Sequence, residues 1–478
     1  MPSVLGRRNT MRCVLLCLLL GAPSLAASRP IDAQVAKRID ADVAAVMQRY
    51  EVAGVALAVV DDGKIVYRRA YGLRDREKKL PVEVGTHFEI GSITKQFTAA
   101  AILRLHEAGK LDLDAALATW LPDAPHAGEV TVRQLLTHTS GLPEYFEGPG
   151  IEVAATRPTT FAQIMARVAG KPLVFAPGSQ WSYCNTGYVL LGRILELLSH
   201  ETYRHYVQTH FFDRLGMKQS FFVADETRLP NMSEGYHHKD GRFERAVPIH
   251  DSFGWSAGNI VSTLDDLMKW DAALAGGQVV SEKSYAEMTT PFQTSARGSA
   301  EYGFGLFVDS VEGQPRIGHT GGAFGFTTAD ELFVRQRVRI IAFTNDGDDK
   351  PEPGEVITTA VFNQLFPKIA AQALRPAEGE DPAGTASARA TFAILQHGSG
   401  DDSVLTPKLS GKMAAGLAKR LSEQFGPYGA PEAFVFKGRR SDGGLHWLDY
   451  LVTFGPGSML KFAVGLDEAG KVASLSYG

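Results

Sequence analysis

The chain has 478 residues, 44% hydrophobic and 21% charged, which excludes disorder throughout and fits about two to four domains. With 49 basic and 53 acidic residues the net charge is −4, and no basic stripe is present, so nucleic acid is not an expected partner. Glycine and proline are plentiful but aperiodic, and no solenoid repeat occurs, which excludes collagen-like and repeat architectures.

Taken in chain order, the first segment reads as a leader. Arg7, Arg8 and Arg12 precede an apolar run at 13–20 that is too short to span a bilayer, and Ser24-Leu25-Ala26 offers small residues for cleavage. A signal peptide over 1–26 is expected, with a periplasmic or secreted bacterial protein after export and no stable membrane span once the leader is gone. Losing Arg7, Arg8 and Arg12 takes the net charge from −4 to −7. Cys13 and Cys17 go as well, so Cys184 stays alone and no intrachain disulfide is expected.

Val35, Ile39, Val43 and Met47 give helical spacing over 31–49. Strands are predicted at 55–60 and 65–72 around Asp61-Asp62-Gly63-Lys64, a hairpin signal. From 92 to about 270 the pattern is mostly helical, with long loops. Strand patterns return at 303–310, 315–319, 324–334 and 338–345, followed by a helix over 355–371. Early and late strands then join in one antiparallel sheet flanked by the terminal helices. The middle forms a helical lobe, and the site lies between lobe and sheet. A catalytic domain is expected over 27–370. Residues 371–388, rich in Ala, Pro, Gly and Glu, read as a linker. Helical patterns at 389–426 and strands at 433–437, 445–454, 460–466 and 472–477 predict a small α+β accessory domain over 389–478, whose helices-then-strands order resembles cystatin-like or NTF2-like domains.

Three motifs can carry chemistry. In Gly91-Ser92-Ile93-Thr94-Lys95-Gln96-Phe97, Ser92 opens a helix and Lys95 follows on the same face. A serine hydroxyl needs a base to become a nucleophile, and a buried lysine loses its proton more readily than a free one. The bland reading is an N-cap and a solvated lysine. In Tyr183-Cys184-Asn185, the tyrosine can relay a proton and the asparagine offers both donor and acceptor. The bland reading is a packed tyrosine and a helix cap. Cys184 itself reads as a small buried side chain. Gly318-His319-Thr320-Gly321-Gly322 ends a predicted strand, where glycines admit a substrate backbone and a free N–H can bind an oxyanion. An ordinary glycine-rich turn is the alternative.

Together, in this order, the motifs resemble the serine β-lactamase and penicillin-binding protein superfamily, in its class C-like branch. Flanking segments resemble it too: Thr131-Val132-Arg133-Gln134-Leu135-Leu136-Thr137-His138-Thr139-Ser140-Gly141-Leu142-Pro143, Asp213-Arg214-Leu215-Gly216-Met217 and Ala257-Gly258-Asn259-Ile260-Val261-Ser262-Thr263. The resemblance spans about 31–368 and implies a β-lactamase-like α+β fold. It implies that Ser92 is acylated and that Lys95 and Tyr183 move its proton. It also implies that Asn185, His319, Thr320 and Gly321 bind substrate, and that the N–H groups of Ser92 and Gly322 form the oxyanion hole. No metal or cofactor is expected. The partner is a small-molecule or peptide substrate: an ester, a D-amino-acid peptide or a β-lactam. His319 stands where β-lactamases usually carry lysine, which favours a peptidase or esterase. The alternatives are a class C-like β-lactamase and a non-catalytic peptidoglycan-binding or regulatory protein. Gly254-Trp255-Ser256-Ala257-Gly258 matches a nucleophile elbow, but the flanking strand and helix that motif requires are not evident. His237 and His238 read as a solvated loop pair.

Overall fold

The computed structural model describes residues 31–223, 230–239, 241–295, 298–347 and 351–477. The predicted leader over 1–26 lies outside them. The first helix, Ala33–Arg49, is capped by Asp32, whose carboxylate accepts the N–H of Gln34 at 2.8 Å. It buries Ile39, Val43 and Val46, a stripe at helical spacing. Strands Gly54–Asp61 and Lys64–Asp75 follow as a hairpin. Asp62 and Gly63 both take positive φ, +47° and +76°, the geometry a two-residue hairpin turn demands.

The hairpin joins strands from the far end of the chain. The antiparallel sheet runs in the order Phe307–Val311, Gln314–Ala323, Phe326–Phe333, Val338–Thr344, Gly54–Asp61, Lys64–Asp75 and Leu80–Pro81. Val55 pairs with Thr344 and Val59 with Ile340. Strand periodicity sorts the side chains. Val55, Leu57, Val59, Ile340 and Ala342 pack on one face with helices Ala33–Arg49 and Pro353–Leu365. Ala56, Ala58, Ile341 and Phe343 face the other way, into the helical lobe that includes Thr94–Glu107 and Asn185–Ser199. The fold is thus β-lactamase-like α+β, followed by a strand-rich C-terminal unit.

Some boundaries differ from expectation. The strand predicted from 303 starts at Phe307, because Gly303 to Leu306 turn against the lobe. A Cβ on Gly305 would lie 2.6 Å from the Lys95 carbonyl oxygen, so glycine allows that approach. The strand expected to end at 319 continues to Ala323. The predicted helix 355–371 is two helices, Pro353–Leu365 and Pro367–Ala373, since Pro367 has no N–H to continue the ladder. His237 and His238 are half-buried on strand Tyr236–Lys239 rather than in a solvated loop, and His238 Nδ1 lies 2.7 Å from Glu51.

In the C-terminal unit, helix Pro382–His397 begins inside the stretch expected as linker, with Pro382 at its first position and Asp381 as cap. It packs with Ala418–Phe425 on an antiparallel sheet ordered Ala433–Asp442, Leu445–Gly455, Ser458–Leu466 and Val472–Tyr477. Phe392, Phe425, Phe454 and Phe462 lie in its own hydrophobic cluster. Tyr450 is in that core, and Trp447 is half-buried beneath Arg440. This unit meets the rest through Arg49, which donates to the Tyr428 carbonyl, and Tyr50, which bonds Ser458. Gly457 abuts helix Pro353–Leu365. These contacts involve the helices that cover the outer face of the large sheet. Among the described residues no helix is long and apolar enough to cross a membrane.

Candidate active site

Ser92 lies in a 3₁₀ turn, Gly91–Ile93, that leads into helix Thr94–Glu107. Gly91 has φ +50°, and a Cβ there would sit 2.6 Å from the Gly322 carbonyl oxygen. A Cβ on Gly321 would meet the Ile90 carbonyl oxygen at 2.0 Å. These glycines let the Ser92 turn and strand Gln314–Ala323 touch backbone to backbone. The ladder between that strand and Phe307–Val311 ends at the pair Phe307–Gly318. Residues 319–323 continue paired with 326–330, and their other edge has no ladder partner among the described residues.

Lys95 is fully buried one turn from Ser92. Its Nζ donates to Ser92 Oγ at 2.9 Å, to Asn185 Oδ1 at 2.8 Å and to the Ala257 carbonyl at 2.6 Å. Burial pulls its pKa down to about 7, against the opposing charge of Glu144. Two of its three partners are acceptors only. When the amine is neutral, its two hydrogens stay on Asn185 and Ala257, and the lone pair faces Ser92 Oγ.

Tyr183 places its ring 4.9 Å from Lys95 Nζ. Its hydroxyl is buried beside Ser92 without a well-aligned hydrogen bond, and burial pushes its pKa well above the usual phenol range. Asn185 opens helix Asn185–Ser199. Its backbone N–H and Nδ2 both donate to Glu144 Oε2, at 2.5 and 3.3 Å. Behind Tyr183, His138 is buried with its ring 4.3 Å away. Its Nδ1 accepts the N–H of Cys184, and burial drives its pKa well below that of a free imidazole.

His319 is buried, and both ring nitrogens are engaged within the fold. Nδ1 contacts the Thr320 carbonyl, which can only accept, so this nitrogen carries the proton. Nε2 then accepts the Tyr302 hydroxyl at 2.8 Å. Burial pulls its pKa down to about 3. The imidazole is neutral and has no spare donor for a substrate carboxylate. Thr320 is half-buried at the open strand edge, and Gly322 is exposed.

Other candidates lie elsewhere or are inert. Ser256 is fully buried, and its hydroxyl donates to the Tyr188 carbonyl at 3.0 Å. Its motif lies within helix Asp251–Gly258, kinked at Trp255, not on a strand-to-helix elbow. Cys184 is buried against the Leu142 carbonyl, and burial pushes its thiol up to about 12. No group of three His, Cys, Asp or Glu among the described residues is arranged to hold a metal.

The chain belongs to the Beta-lactamase family, whose model matches residues 39–364, within the serine β-lactamase and penicillin-binding protein superfamily. It is 28% identical over 337 residues to penicillin-binding protein 4* of Bacillus subtilis (strain 168), covering 67% of this chain and 73% of the relative. It is 27% identical over 314 residues to a D-aminopeptidase of Gluconobacter oxydans (strain 621H), covering 64% of this chain and 58% of that protein. A penicillin-binding protein from Bacillus halodurans superposes with a TM-score of 0.59 at 27% identity, covering 69% of this chain and 98% of that one.

The residues that the family resemblance assigns to the site come together around Ser92 and Lys95, whereas Ser256 is turned to the Tyr188 carbonyl. Sequence reasoning gave no role to Glu144, His138, Tyr302 or the Ala257 carbonyl. The turn residues Gly141-Leu142-Pro143 were the available signal for Glu144. Nothing in the sequence marked Tyr302.

Proposed function

We propose that this protein is a serine hydrolase that works through an acyl-enzyme on Ser92, acting on D-amino-acid-type amides and peptides or on esters. The observation that carries this reading is the Lys95 amine, buried, near neutral pKa and hydrogen-bonded to Ser92 Oγ at 2.9 Å. A base poised near the working pH suits proton transfer in both directions.

In this scheme neutral Lys95 takes the Ser92 proton as Oγ attacks the substrate carbonyl carbon. The N–H groups of Ser92 and Gly322 receive the developing oxyanion. The C–N or C–O bond to the leaving group breaks, and the proton returns to that group from Lys95 through the neutral Tyr183 hydroxyl. Water then attacks the ester by the same route, releasing the acid and restoring Ser92. Thr320 and Gly321 offer the open strand edge to substrate backbone. Asn185 holds Lys95 and lines the amide site. The D-aminopeptidase relative supports the amide reading.

A β-lactamase is the second reading, and His319 weighs against it. Its engaged, neutral ring supplies no cation for a carboxylate. Slow nitrocefin turnover is therefore expected. The leader residues support export to the periplasm or beyond, and the division into a catalytic domain, 27–370, and an accessory domain, 389–478, belongs to the same proposal.

The test is intact mass after exposure to a fluorophosphonate, with peptide mapping. One adduct on Ser92 is expected. Folded protein that takes no adduct refutes the reading and favours a binding or regulatory role.

A further inference from the structure

Glu144 occupies a junction that the scheme above leaves unused. Its Oε2 accepts both the backbone N–H and Nδ2 of Asn185, and its Oε1 accepts the N–H of Phe146 at 2.7 Å. An asparagine amide fits its site either way round until its partners choose. Here a carboxylate faces Nδ2 and a lysine faces Oδ1, so the two charges fix one orientation. A continuous chain of hydrogen bonds then runs from Glu144 through Asn185 and Lys95 to Ser92.

We propose that Glu144 is the positioning residue of this site: it locks the Asn185 amide that holds Lys95, and its negative charge keeps the buried amine a strong enough base for Ser92. The proposal rests on the serine-hydrolase reading above.

The charge argument follows from what surrounds Lys95. Ser92 faces it from its own helix. His138 faces it from the loop before Glu144, and His319 from the sheet; burial keeps both imidazoles neutral. Tyr183 and Cys184 face it from just before helix Asn185–Ser199 and Tyr188 from its first turn, all with burial holding their protons on. Glu144 is left as the carboxylate whose charge acts on the ammonium and opposes its desolvation. Burial and nearby Glu147 push the Glu144 carboxyl itself upward, while the N–H groups of Phe146 and Asn185 hold it down. Without Glu144, desolvation would act on Lys95 unopposed. The amine would be free at lower pH but would be a weaker base towards serine.

The test uses full-length protein carrying isotopically labelled lysine. The Lys95 signal is assigned by its loss in Lys95→Arg and titrated by NMR. Glu144→Gln keeps the side-chain shape and removes the charge. Glu144→Met does the same without setting an amide against the three N–H donors, and whichever variant is folded by circular dichroism serves. The expected result is a Lys95 midpoint lowered by about one pH unit. The acid limb of Ser92 labelling moves down with it, and the plateau rate drops about tenfold. Glu144→Asp, which keeps the charge, restores the midpoint. A midpoint unmoved in the charge-free variant overturns the proposal, even if labelling slows at every pH, because a merely structural residue would do that. Failure of wild-type Ser92 to label would instead sink the hydrolase reading, and the lysine titration would still judge Glu144.

Discussion

Gly321→Ala tests whether the contact between the Ser92 turn and the Gly318–Gly322 segment shapes the site. The added Cβ would lie 2.0 Å from the Ile90 carbonyl oxygen and 2.4 Å from Thr328 Oγ1. Ile90 belongs to backbone, and Thr328 is held by its bond to the same carbonyl at 3.1 Å. Neither can rotate away cheaply, so the two segments must part by about 1 Å, a shift that costs about 10²-fold when it separates groups aligned for reaction. Overpacking of this kind costs about 1–3 kcal/mol. For a unit of this size that is a drop of about 1–4 °C in Tm. The N–H groups of Ser92 and Gly322, two residues beyond Ile90 and one beyond Gly321, would separate with it. Thermal unfolding and the second-order rate of fluorophosphonate labelling read the two effects. Wild-type values for both would refute the packing argument. A lowered Tm with an unchanged rate would keep the packing and remove the oxyanion assignment.

Three further outcomes are expected. Lys95→Met should lower Ser92 labelling at least about 10³-fold in protein that still folds but is less stable, because Asn185 Oδ1 and the Ala257 carbonyl lose their buried donor; labelling within tenfold of wild type would exclude Lys95 as the base. Ser256→Ala should keep full labelling and lose about 1 kcal/mol of stability with its buried hydrogen bond; loss of labelling in folded protein would make Ser256 the nucleophile. His319 has a folded-state pKa of about 3 against 6.5 for a free imidazole, so the folded state binds fewer protons between those values, and stability is lost as pH falls through that window. By pH 5 that loss is about 2 kcal/mol, absent in His319→Gln. Urea unfolding of both proteins at pH 7 and pH 5 should show the wild-type advantage shrinking by that amount, and a pH-independent difference would refute the buried neutral ring.

Local pattern carried much of the fold. The apolar run at 55–60 marked a strand and Asp61-Asp62-Gly63-Lys64 its turn, while the cover on both of its faces came to light in the structure. The three-residue step from Ser92 to Lys95 placed both on one side of a helix. What the pattern could not show was convergence across the chain. The acceptors that aim the Lys95 lone pair come from Asn185 and Ala257, and the motif chemistry that singled out Asn185 could not place it on Lys95. The state of His319 was hidden for the same reason, since Tyr302 and the Thr320 carbonyl reach it through tertiary packing. Composition also misled at 382–388. Alanine, glycine and proline there suit a linker, yet the same residues begin a helix once Asp381 caps it and Pro382 takes the first position.

The central pairing of the large sheet has a consequence for how the molecule is made. Strand Gly54–Asp61 has Val338–Thr344 as one neighbour, nearly the whole length of the family match away. During synthesis the early hairpin must wait for that strand, and for helix Pro353–Leu365, before Val55, Leu57 and Val59 are covered. Closing so long a loop is slow, because its entropy is lost before the contacts form. In the interval an apolar strand edge stands open to any other unfinished chain. Yield in the cell should therefore depend on chaperone supply and synthesis rate more steeply than the stability of the finished protein would suggest.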